Sequence, residues 1–430
     1  MARDRCVNFR ATLCRHFLYT VTAAIPLALI TSLCAQEPVR TAQEKLPIQS
    51  FRRSPEAFFY LGPFQEVLIG SAGVEYNDNV NLTQSNKISD VSLNQSLSLN
   101  NTWVISHLSQ LEFDFTGQLI ENFYGNGRNQ VTFAVPDSKI EFRFPFLDTQ
   151  VRLYDTFSYV QNPTSNPTAT NTANLNNLTN TIGAVIDADL NVTVLSLSAD
   201  YTYNDQSGTN AQGQTNNGTT GTRNSFRVGP KLSFRLSQTI LYGLGSSLTR
   251  STASGAANVN SFSVGPFING KTRDFDFDLA AGVNFVSTKP AVPTNYYVFA
   301  AARYQINRNT QLLFSASHDL IFTTGTQLTE ETVFRIGTQL GLTRFITFTA
   351  SPFVNFGDVK TTTTGTINSV STGPYTQFGI EASLAWKPRT RWSTTLTYDF
   401  TRRESGAAFA SGSSNTYTQN TIAFSLGYAF

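Results

Sequence analysis

The residues best suited to acid–base or metal chemistry are three carboxylates spaced two apart, Asp274, Asp276 and Asp278. Paired carboxylates can serve in hydrolysis or bind hard cations through their oxygens. Positions two apart on a β-strand, however, point to the same face of the sheet. We therefore interpret the three carboxylates as the lining of a hydrated wall, and we predict no metal site.

Histidine chemistry is equally sparse, because only His107 and His318 lie beyond the first 35 residues. His318 is in phase with the apolar residues Phe314 and Leu320, whereas its neighbour Asp319 points to the other face of a strand. A Ser-His-Asp arrangement needs the base within hydrogen-bonding reach of its partners. We find no Gly-rich phosphate loop and no basic patch for nucleic acid, so we predict no enzyme activity and no cofactor.

Residues 1–35 have the order of a secretory signal peptide: a basic start, an uncharged and largely apolar run over 17–33, and a small residue at Ala35. Pro26 interrupts the run, which favours cleavage after Ala35 over a single-pass anchor. All three cysteines, Cys6, Cys14 and Cys34, lie in this segment. The mature chain therefore has no cysteine for disulfides or thiolate metal sites.

The rest of the chain predicts an all-β protein. Residues 36–64 carry four prolines and no hydrophobic period, which indicates a flexible periplasmic lead-in. From residue 65 to 430, strand-like segments alternate between long Asn/Thr/Ser/Gly loops and short turns, with a repeat of roughly 40 residues. About nine loops, the longest near 161–178 and 205–222, and eight turns join about eighteen strands, and sixteen remains possible. We predict a transmembrane antiparallel up-and-down β-barrel in the outer membrane of a Gram-negative bacterium.

Large apolar side chains alternate with charged or small ones, as in the strand that follows Asp274. A β-sandwich has the same period of two. The signal peptide, the full charges opposite aromatic faces, and aromatic clusters at strand ends favour the barrel. One position conflicts with this phase: Asp155 is in phase with Leu153 and Phe157, which directs a charge toward lipid unless a bulge intervenes or the position is near the rim.

The last segment, 420–430, alternates large apolar residues with small or polar ones. It resembles the closing strand of bacterial outer-membrane barrels, in which this strand is the signal read by the barrel-assembly machinery. The resemblance implies that machinery as a partner and assigns the assembly signal to Phe424, Leu426, Tyr428 and Phe430.

A second resemblance lies at the start of the barrel. Leu61-Gly62-Pro63-Phe64, followed by a strand ending in Glu75-Tyr76-Asn77-Asp78-Asn79-Val80, resembles the opening of outer-membrane β-barrel porins, some of which are found with exopolysaccharide gene clusters. The resemblance implies a porin-like channel for passive diffusion of small hydrophilic solutes or ions. Two alternatives remain open: an exopolysaccharide export barrel working with periplasmic export components, and a non-conducting structural or adhesion barrel.

The inward phase of the strands predicts the pore lining. Barrels of this size leave an aqueous channel. Outer-membrane lipids would surround the outside of the wall. The sequence does not indicate an oligomeric state. Arg227, Lys231 and Arg235 on one strand are expected to face an acidic wall at 274–278. The predicted lining residues are Arg227, Lys231, Arg235, Arg303, Arg335, Asp187, Asp189, Asp274, Asp276, Asp278, Glu381 and Asp399.

Overall fold

The computed structural model describes residues 59–106, 109–124, 129–146, 149–161, 174–209, 215–253, 258–287, 295–322, 327–361, 373–389, 391–405 and 416–430. The predicted signal peptide and most of the lead-in lie outside these residues. No helix in the described part of the chain is long and apolar enough to cross a membrane.

The described residues contain nineteen strands, which follow one another in chain order. The first ten are β1 (Phe59–Leu61), β2 (Phe64–Asn77), β3 (Asp90–Val104), β4 (Gln110–Tyr124), β5 (Asn129–Phe146), β6 (Thr149–Gln161), β7 (Asn174–Leu190), β8 (Thr193–Thr209), β9 (Thr215–Arg235) and β10 (Ile240–Ala253). The others are β11 (Val259–Lys271), β12 (Phe275–Ser287), β13 (Asn295–Asn307), β14 (Thr310–Phe322), β15 (Gln327–Gly341), β16 (Ile346–Thr361), β17 (Gly373–Arg389), β18 (Trp392–Ser405) and β19 (Tyr417–Ala429).

The sheet closes on itself. From β2 onward each strand pairs antiparallel with the next, and β19 pairs back onto β2 with Thr421 opposite Asn77 and Ala429 opposite Ile69. Setting aside the short β1 leaves eighteen strands in the ring. The predicted antiparallel barrel of eighteen strands is confirmed, and the alternative of sixteen is wrong. Closure removes the free edges that an open sheet would present.

The short β1 lies inside the predicted lead-in and folds back on the start of β2. Leu61 pairs with Phe64 and Phe59 with Glu66 across a tight turn. Gly62 has φ +59°, the left-handed region where a glycine carries no Cβ penalty. Because β19 reaches only to Leu68 along β2, β1 covers the edge of β2 below that point.

The two faces of the wall differ as the alternation predicts. On β12, the large apolar residues Phe275, Leu279, Val283 and Phe285 are exposed on one face, whereas Asn284 on the other is buried. This pattern recurs around the ring, with exposed aromatic and aliphatic side chains at alternate positions. A surface of this kind is stable against hydrocarbon but not against water. The exposed apolar face is therefore the outside of the barrel.

Several strands are longer than the loop assignments predicted. β7, β8 and β9 contain 17, 17 and 21 residues and extend into segments predicted as loops at 161–178 and 205–222. The Asn and Thr side chains there bond across strands, since the Asn204 amide donates to Asn177 Oδ1 and to Thr179 Oγ1, each at 2.8 Å. A membrane-spanning strand needs only about 9–11 residues. The polar ends therefore lie beyond the apolar band.

Pro230 and Pro266 each interrupt the pairing of their strand with one neighbour without changing its register. At Pro230, β9 and β10 are paired at Lys231–Gly245 and again at Val228–Leu248. The two residues between these positions on each strand are not paired with each other. Pro266 has a similar gap on β11. A proline has no N–H to donate to the ladder, which explains the gaps.

Asp155 lies on the outer face, as its phase indicates, and no bulge turns it inward. It lies between Ile140 and Ile182, both exposed outward. Its Oδ1 accepts a hydrogen bond of 2.7 Å from the side-chain amide of Asn180. β5 has a register shift against β6 near Val135, but this does not move Asp155 to the inner face.

Candidate functional site

A column of basic residues follows the inner face of β9. Arg223, Arg227, Lys231 and Arg235 are spaced by four and therefore share a face, opposite to the exposed Phe226. From Arg227 to Arg235 the column extends over about 27 Å at ~3.4 Å per residue. The sequence analysis identified three of these residues but missed Arg223, whose guanidinium donates to Ser251 Oγ at 3.0 Å.

Two members of this column, Arg227 and Arg235, are ion-paired with β8 and β7. Arg227 Nε donates to Asp200 Oδ2 at 3.0 Å. Arg235 donates from Nη2 to Asp189 Oδ2 at 2.8 Å and from Nη1 to the carbonyl of Asn191 at 2.6 Å. Charge-assisted bonds of this length fix the guanidinium groups in place against the wall.

Lys231, in the middle of the column, is only 5% exposed. Its Nζ lies 3.9 Å from the centroid of the Phe267 ring, a cation–π contact. Asp187 and Asp278 lie on either side, close enough to interact with it electrostatically. Asp187 is held by a 2.5 Å hydrogen bond from Ser196 Oγ. This lysine joins carboxylates from two different strands into one network.

The three carboxylates at 274–278 do not form a wall opposite the basic column, as the sequence analysis expected. β12 is only three strands from β9, so its side chains are neighbours of the column. Asp276 pairs with Arg303 at 3.3 Å, and Asp278 lies beside Lys231. Asp274 precedes β12 in a turn, and its side chain is 58% exposed. The spacing of these carboxylates in the sequence predicts which face of the strand they occupy, but not how many strands separate them from the basic column.

On the other side of the barrel, β15 and β17 contribute a further ion pair. Arg335 donates to both carboxylate oxygens of Glu381, at 2.6 Å and 3.3 Å. The guanidinium carbon lies 5.2 Å from the centroid of the Phe353 ring. Asp399 on β18 is in register with Glu381, so two carboxylates share one guanidinium.

An acidic patch surrounds the closing seam, where β19 meets β2. It comprises Glu381 and Asp399 from the end of the chain, and Glu75 and Asp90 from its beginning. Asp399 interacts electrostatically with both Glu381 and Glu75, and Glu75 with Asp90. Barrel closure brings together carboxylates that lie more than 300 residues apart in the sequence.

This acidic patch and the basic column lie on opposite walls. In a ring of eighteen strands, β18 is nine strands from β9 in either direction, which is the largest separation the ring allows. The patch extends over β17, β18, β2 and β3, and is thus centred near β18 and β19. The inner wall therefore has a basic side and an acidic side.

A buried cluster that the sequence analysis missed lies on the inner wall near the long-loop ends of β15, β17, β18 and β19. Arg403, 1% exposed, lies 4.1 Å from the centroid of the Tyr375 ring, and Tyr417 is buried beside it. The Tyr375 hydroxyl donates to Glu331 Oε1 at 2.9 Å. The ring of Tyr375 lies across Gly357, where any Cβ would overlap it. The one feature of the sequence that could have indicated this cluster is a glycine, Gly357, on the strand that pairs with the aromatic residue Tyr375.

Another missed network lies on β4 and β5. Lys139 pairs with Glu112 at 3.2 Å and with Glu141 at 2.9 Å, and Arg143 also pairs with Glu141. Lys139, Glu141 and Arg143 alternate strictly and share the inner face, and Lys139 pairs with Asp114 ahead of the register shift between Asp114 and Gln118. The phase of the strand was therefore a sufficient signal for Lys139.

The first long connection, residues 78–89, packs against the start of β19. Asn79 and Leu82 in it are fully buried. The Asn79 amide donates to the carbonyls of Thr83 and Thr418, both at 2.8 Å. Gln419, which faces inward, donates to Asn77 Oδ1 at 3.0 Å. This connection is therefore ordered and attached to the closing strand.

The residues predicted as an assembly signal lie at that same strand. Phe424, Leu426 and Phe430 are exposed outward, and the ring of Tyr428 lies 4.8 Å from that of Trp392. Their phase agrees with the alternation, whereas their role in assembly stays a prediction.

Few catalytic or metal-binding combinations occur among these side chains. His107 lies outside the described residues. His318 stacks on Tyr296 with ring centroids 4.3 Å apart and shares a 2.8 Å hydrogen bond with Thr332. Within the described ranges, no group of three or more His, Cys, Asp or Glu side chains could hold a metal ion.

Comparison with known proteins finds likeness in structure but not in sequence. No protein-family model and no curated protein matches the sequence. The chain is similar to OccK7 (OpdD) of Pseudomonas aeruginosa, with a TM-score of 0.48 and 8% identity over 86% of this chain and 99% of that one.

It is also similar to OccK2 (OpdF) of the same organism, crystallised in complex with glucuronate, with a TM-score of 0.47 and 11% identity over 86% and 99% of the two chains. The siderophore receptor PirA of P. aeruginosa matches with a TM-score of 0.41 and 10% identity over 84% and 80%. At these identities the likeness concerns the fold alone.

Proposed function

We propose that this protein is a porin-like channel of a bacterial outer membrane, through which small hydrophilic solutes or ions diffuse passively. The observation that carries the proposal is the inner wall, where a basic column on β9 lies nine strands from an acidic patch at the seam. A barrel that served only as a scaffold has no need of full charges facing inward, because burying unpaired charge is costly.

Hydration of the lumen accounts for the way these charges are arranged. Many of them are paired across neighbouring strands, as Arg227 is with Asp200 and Arg335 with Glu381. The acidic patch has an excess of carboxylates over the one guanidinium of Arg335. Unbalanced carboxylates at the inner wall are stable when water and mobile cations reach them. Rings and patches of fixed charge also bias which ions enter a pore.

Opposed walls would select solutes by their dipoles as well as by their charge. A zwitterion or a hydrated ion pair crossing the lumen can direct its negative end to β9 and its positive end to the seam. Solutes without charge would gain nothing from this orientation and would be sieved by size alone. The proposed substrates are therefore small polar solutes, with cations preferred near the seam.

Liposome swelling tests the proposal. Vesicles that contain the folded protein should swell in solutions of small sugars and amino acids, and more slowly as solute size increases. Vesicles with heat-denatured protein serve as the control. Absence of swelling with the smallest solutes, from protein shown to be folded by its heat-modifiable migration, would reject the diffusion channel and favour the non-conducting barrel.

A further inference from the structure

A groove on the outer face of the barrel crosses the closing seam. It has a volume of about 880 Å³ and follows one row of register partners: Trp392, Tyr428, Gly70, Leu97 and Gly117. These residues belong to β18, β19, β2, β3 and β4 in turn. The groove lies on the exposed apolar face, and its larger lining residues are directed outward.

The groove exists because small residues occupy outward positions that elsewhere carry large side chains. Ala72 and Gly117 form its floor together with Gly70, against which the ring of Phe430 lies. On either side, Phe115, Leu119 and other large apolar residues of the same face form its walls. A groove in a surface surrounded by hydrocarbon must be filled, since an empty void loses the dispersion contacts of its lining atoms.

The course of the groove indicates what fills it. It starts at Trp392, the first residue of β18, and ends at Gly117, the eighth of β4. Four strand spacings of ~4.8 Å make it ~19 Å long, and strands tilted by ~40° make it rise by roughly 12 Å. This rise covers most of the ~15 Å that one leaflet contributes to the ~30 Å hydrocarbon core. The groove therefore extends from one membrane interface to about the bilayer centre, as one acyl chain of one leaflet does.

A side chain able to bind a phospholipid head group, that of Arg391, lies next to the lower end of the groove. Arg391 is exposed in the turn next to Trp392, and its carbonyl accepts the backbone N–H of Ala429 at 2.9 Å. Tryptophan is enriched at membrane interfaces, and arginine binds phosphate through its planar fork of donors. Both lie at the short-turn end of the barrel, which is the periplasmic side for a barrel of this topology.

From this placement we infer that the seam groove binds one phospholipid of the periplasmic leaflet, with an acyl chain over Gly70, Ala72 and Gly117 and the phosphate at Arg391. A second barrel is a poor occupant, because its convex wall would not reach the floor. The inference rests on the proposed outer-membrane location but not on conduction, so a failed swelling assay leaves it standing.

Filling the groove tests the inference. The protein, extracted from outer membranes in mild detergent, is analysed by native mass spectrometry for retained phospholipid. The double variant Ala72→Leu/Gly117→Leu should reduce retention about tenfold, the change that 1.4 kcal/mol represents. The matched control is Ala184→Leu/Ala199→Leu, a pair of register partners elsewhere on the outer face. It should retain lipid as the unmodified protein does.

A second measurement keeps the test decisive if the filled variant does not fold. In a chain with Trp103→Phe and Trp386→Phe, Trp392 is the remaining tryptophan. Dibromo-acyl phosphatidylglycerol in mixed micelles should quench its fluorescence at low lipid ratios, and Arg391→Gln should raise the ratio needed several-fold. Three results would overturn the inference: equal retention in filled and control variants, equal quenching with Arg391→Gln, or a dimer of the chain that filling dissociates.

Discussion

The basic column on β9 offers the sharpest prediction about ion selectivity. Replacing Arg227, Lys231 and Arg235 with glutamine removes three positive charges from one wall, while their carboxylate partners Asp200 and Asp189 remain. The lumen thereby becomes more negative by three charges. We expect the channel to shift toward cation preference, and the barrel to fold, because lumen substitutions are tolerated better than changes on the lipid face.

The size of the shift follows from screened electrostatics. A unit charge ~10 Å from an ion in water contributes ~0.4 kcal/mol, which screening at 0.1 M salt reduces to ~0.15 kcal/mol. Three charges thus change the energy of a cation by ~0.5 kcal/mol and that of an anion by the same amount in the opposite sense. The cation-to-anion ratio should rise about fivefold. At 1 M salt, where the Debye length is ~3 Å, the effect should largely disappear.

The assay is the reversal potential in a planar bilayer under a tenfold KCl gradient. A fivefold change in permeability ratio from an unselective start corresponds to about 30 mV, of the ~59 mV that a perfectly selective monovalent pore would show. The control removes three outward or turn arginines, Arg250, Arg344 and Arg402, which leaves the inner wall unchanged. An equal shift in the control, or a shift that persists at 1 M salt, would refute the reasoning.

Three further predictions concern stability and assembly. Leu248→Lys, on the outer face, should lower the free energy of unfolding by ~2–4 kcal/mol in a urea titration. Ser247→Lys, one residue away on the inner face, should change that free energy little. The reverse order would mean that the two faces of this strand are assigned the wrong way round. Gly357→Ala should displace the Tyr375 ring and cost ~1–3 kcal/mol in the same titration, and an unchanged midpoint would contradict that packing. Deleting Phe430 should reduce the amount of folded barrel in the outer membrane without changing the conductance of the molecules that do fold. The amount of heat-modifiable protein measures the first effect, and single-channel traces measure the second.

The number of strands, and the side of the wall on which each side chain lies, could be predicted from the sequence because both depend on local periodicity. The alternation of Phe275, Phe277 and Leu279 with carboxylates is enough to separate the two faces. Counting loops and turns then gave eighteen strands, since every long connection contains Gly, Asn or Pro. Strand length was less accurate: polar Asn and Thr runs in β7–β9 looked like loops, yet their side chains bond across the strands.

Positions around the ring could not be read from the sequence. The column on β9 was found, but the carboxylates at 274–278 were placed opposite to it, although β12 is only three strands away. The carboxylates that do lie opposite come from both ends of the chain and meet only when β19 pairs with β2. Contacts of this kind depend on closure, which is a property of the whole sheet.

Buried clusters were also missed, for a different reason. Arg403 stacks on Tyr375, which in turn occupies the space above Gly357. Each residue alone reads as ordinary strand or loop sequence, and only the cross-strand register brings the three together. The ion pairs of Lys139 depend on register in the same way, because Glu112 reaches it from β4.

Single-channel recording in a planar bilayer tests the central claim most directly. Folded protein added at low concentration should produce discrete conductance steps, and these steps should favour cations at 0.1 M salt because carboxylates are in excess at the acidic patch formed by Glu75, Asp90, Glu381 and Asp399. Insertion of folded barrels that produces no steps would contradict a hydrated lumen between opposed charged walls.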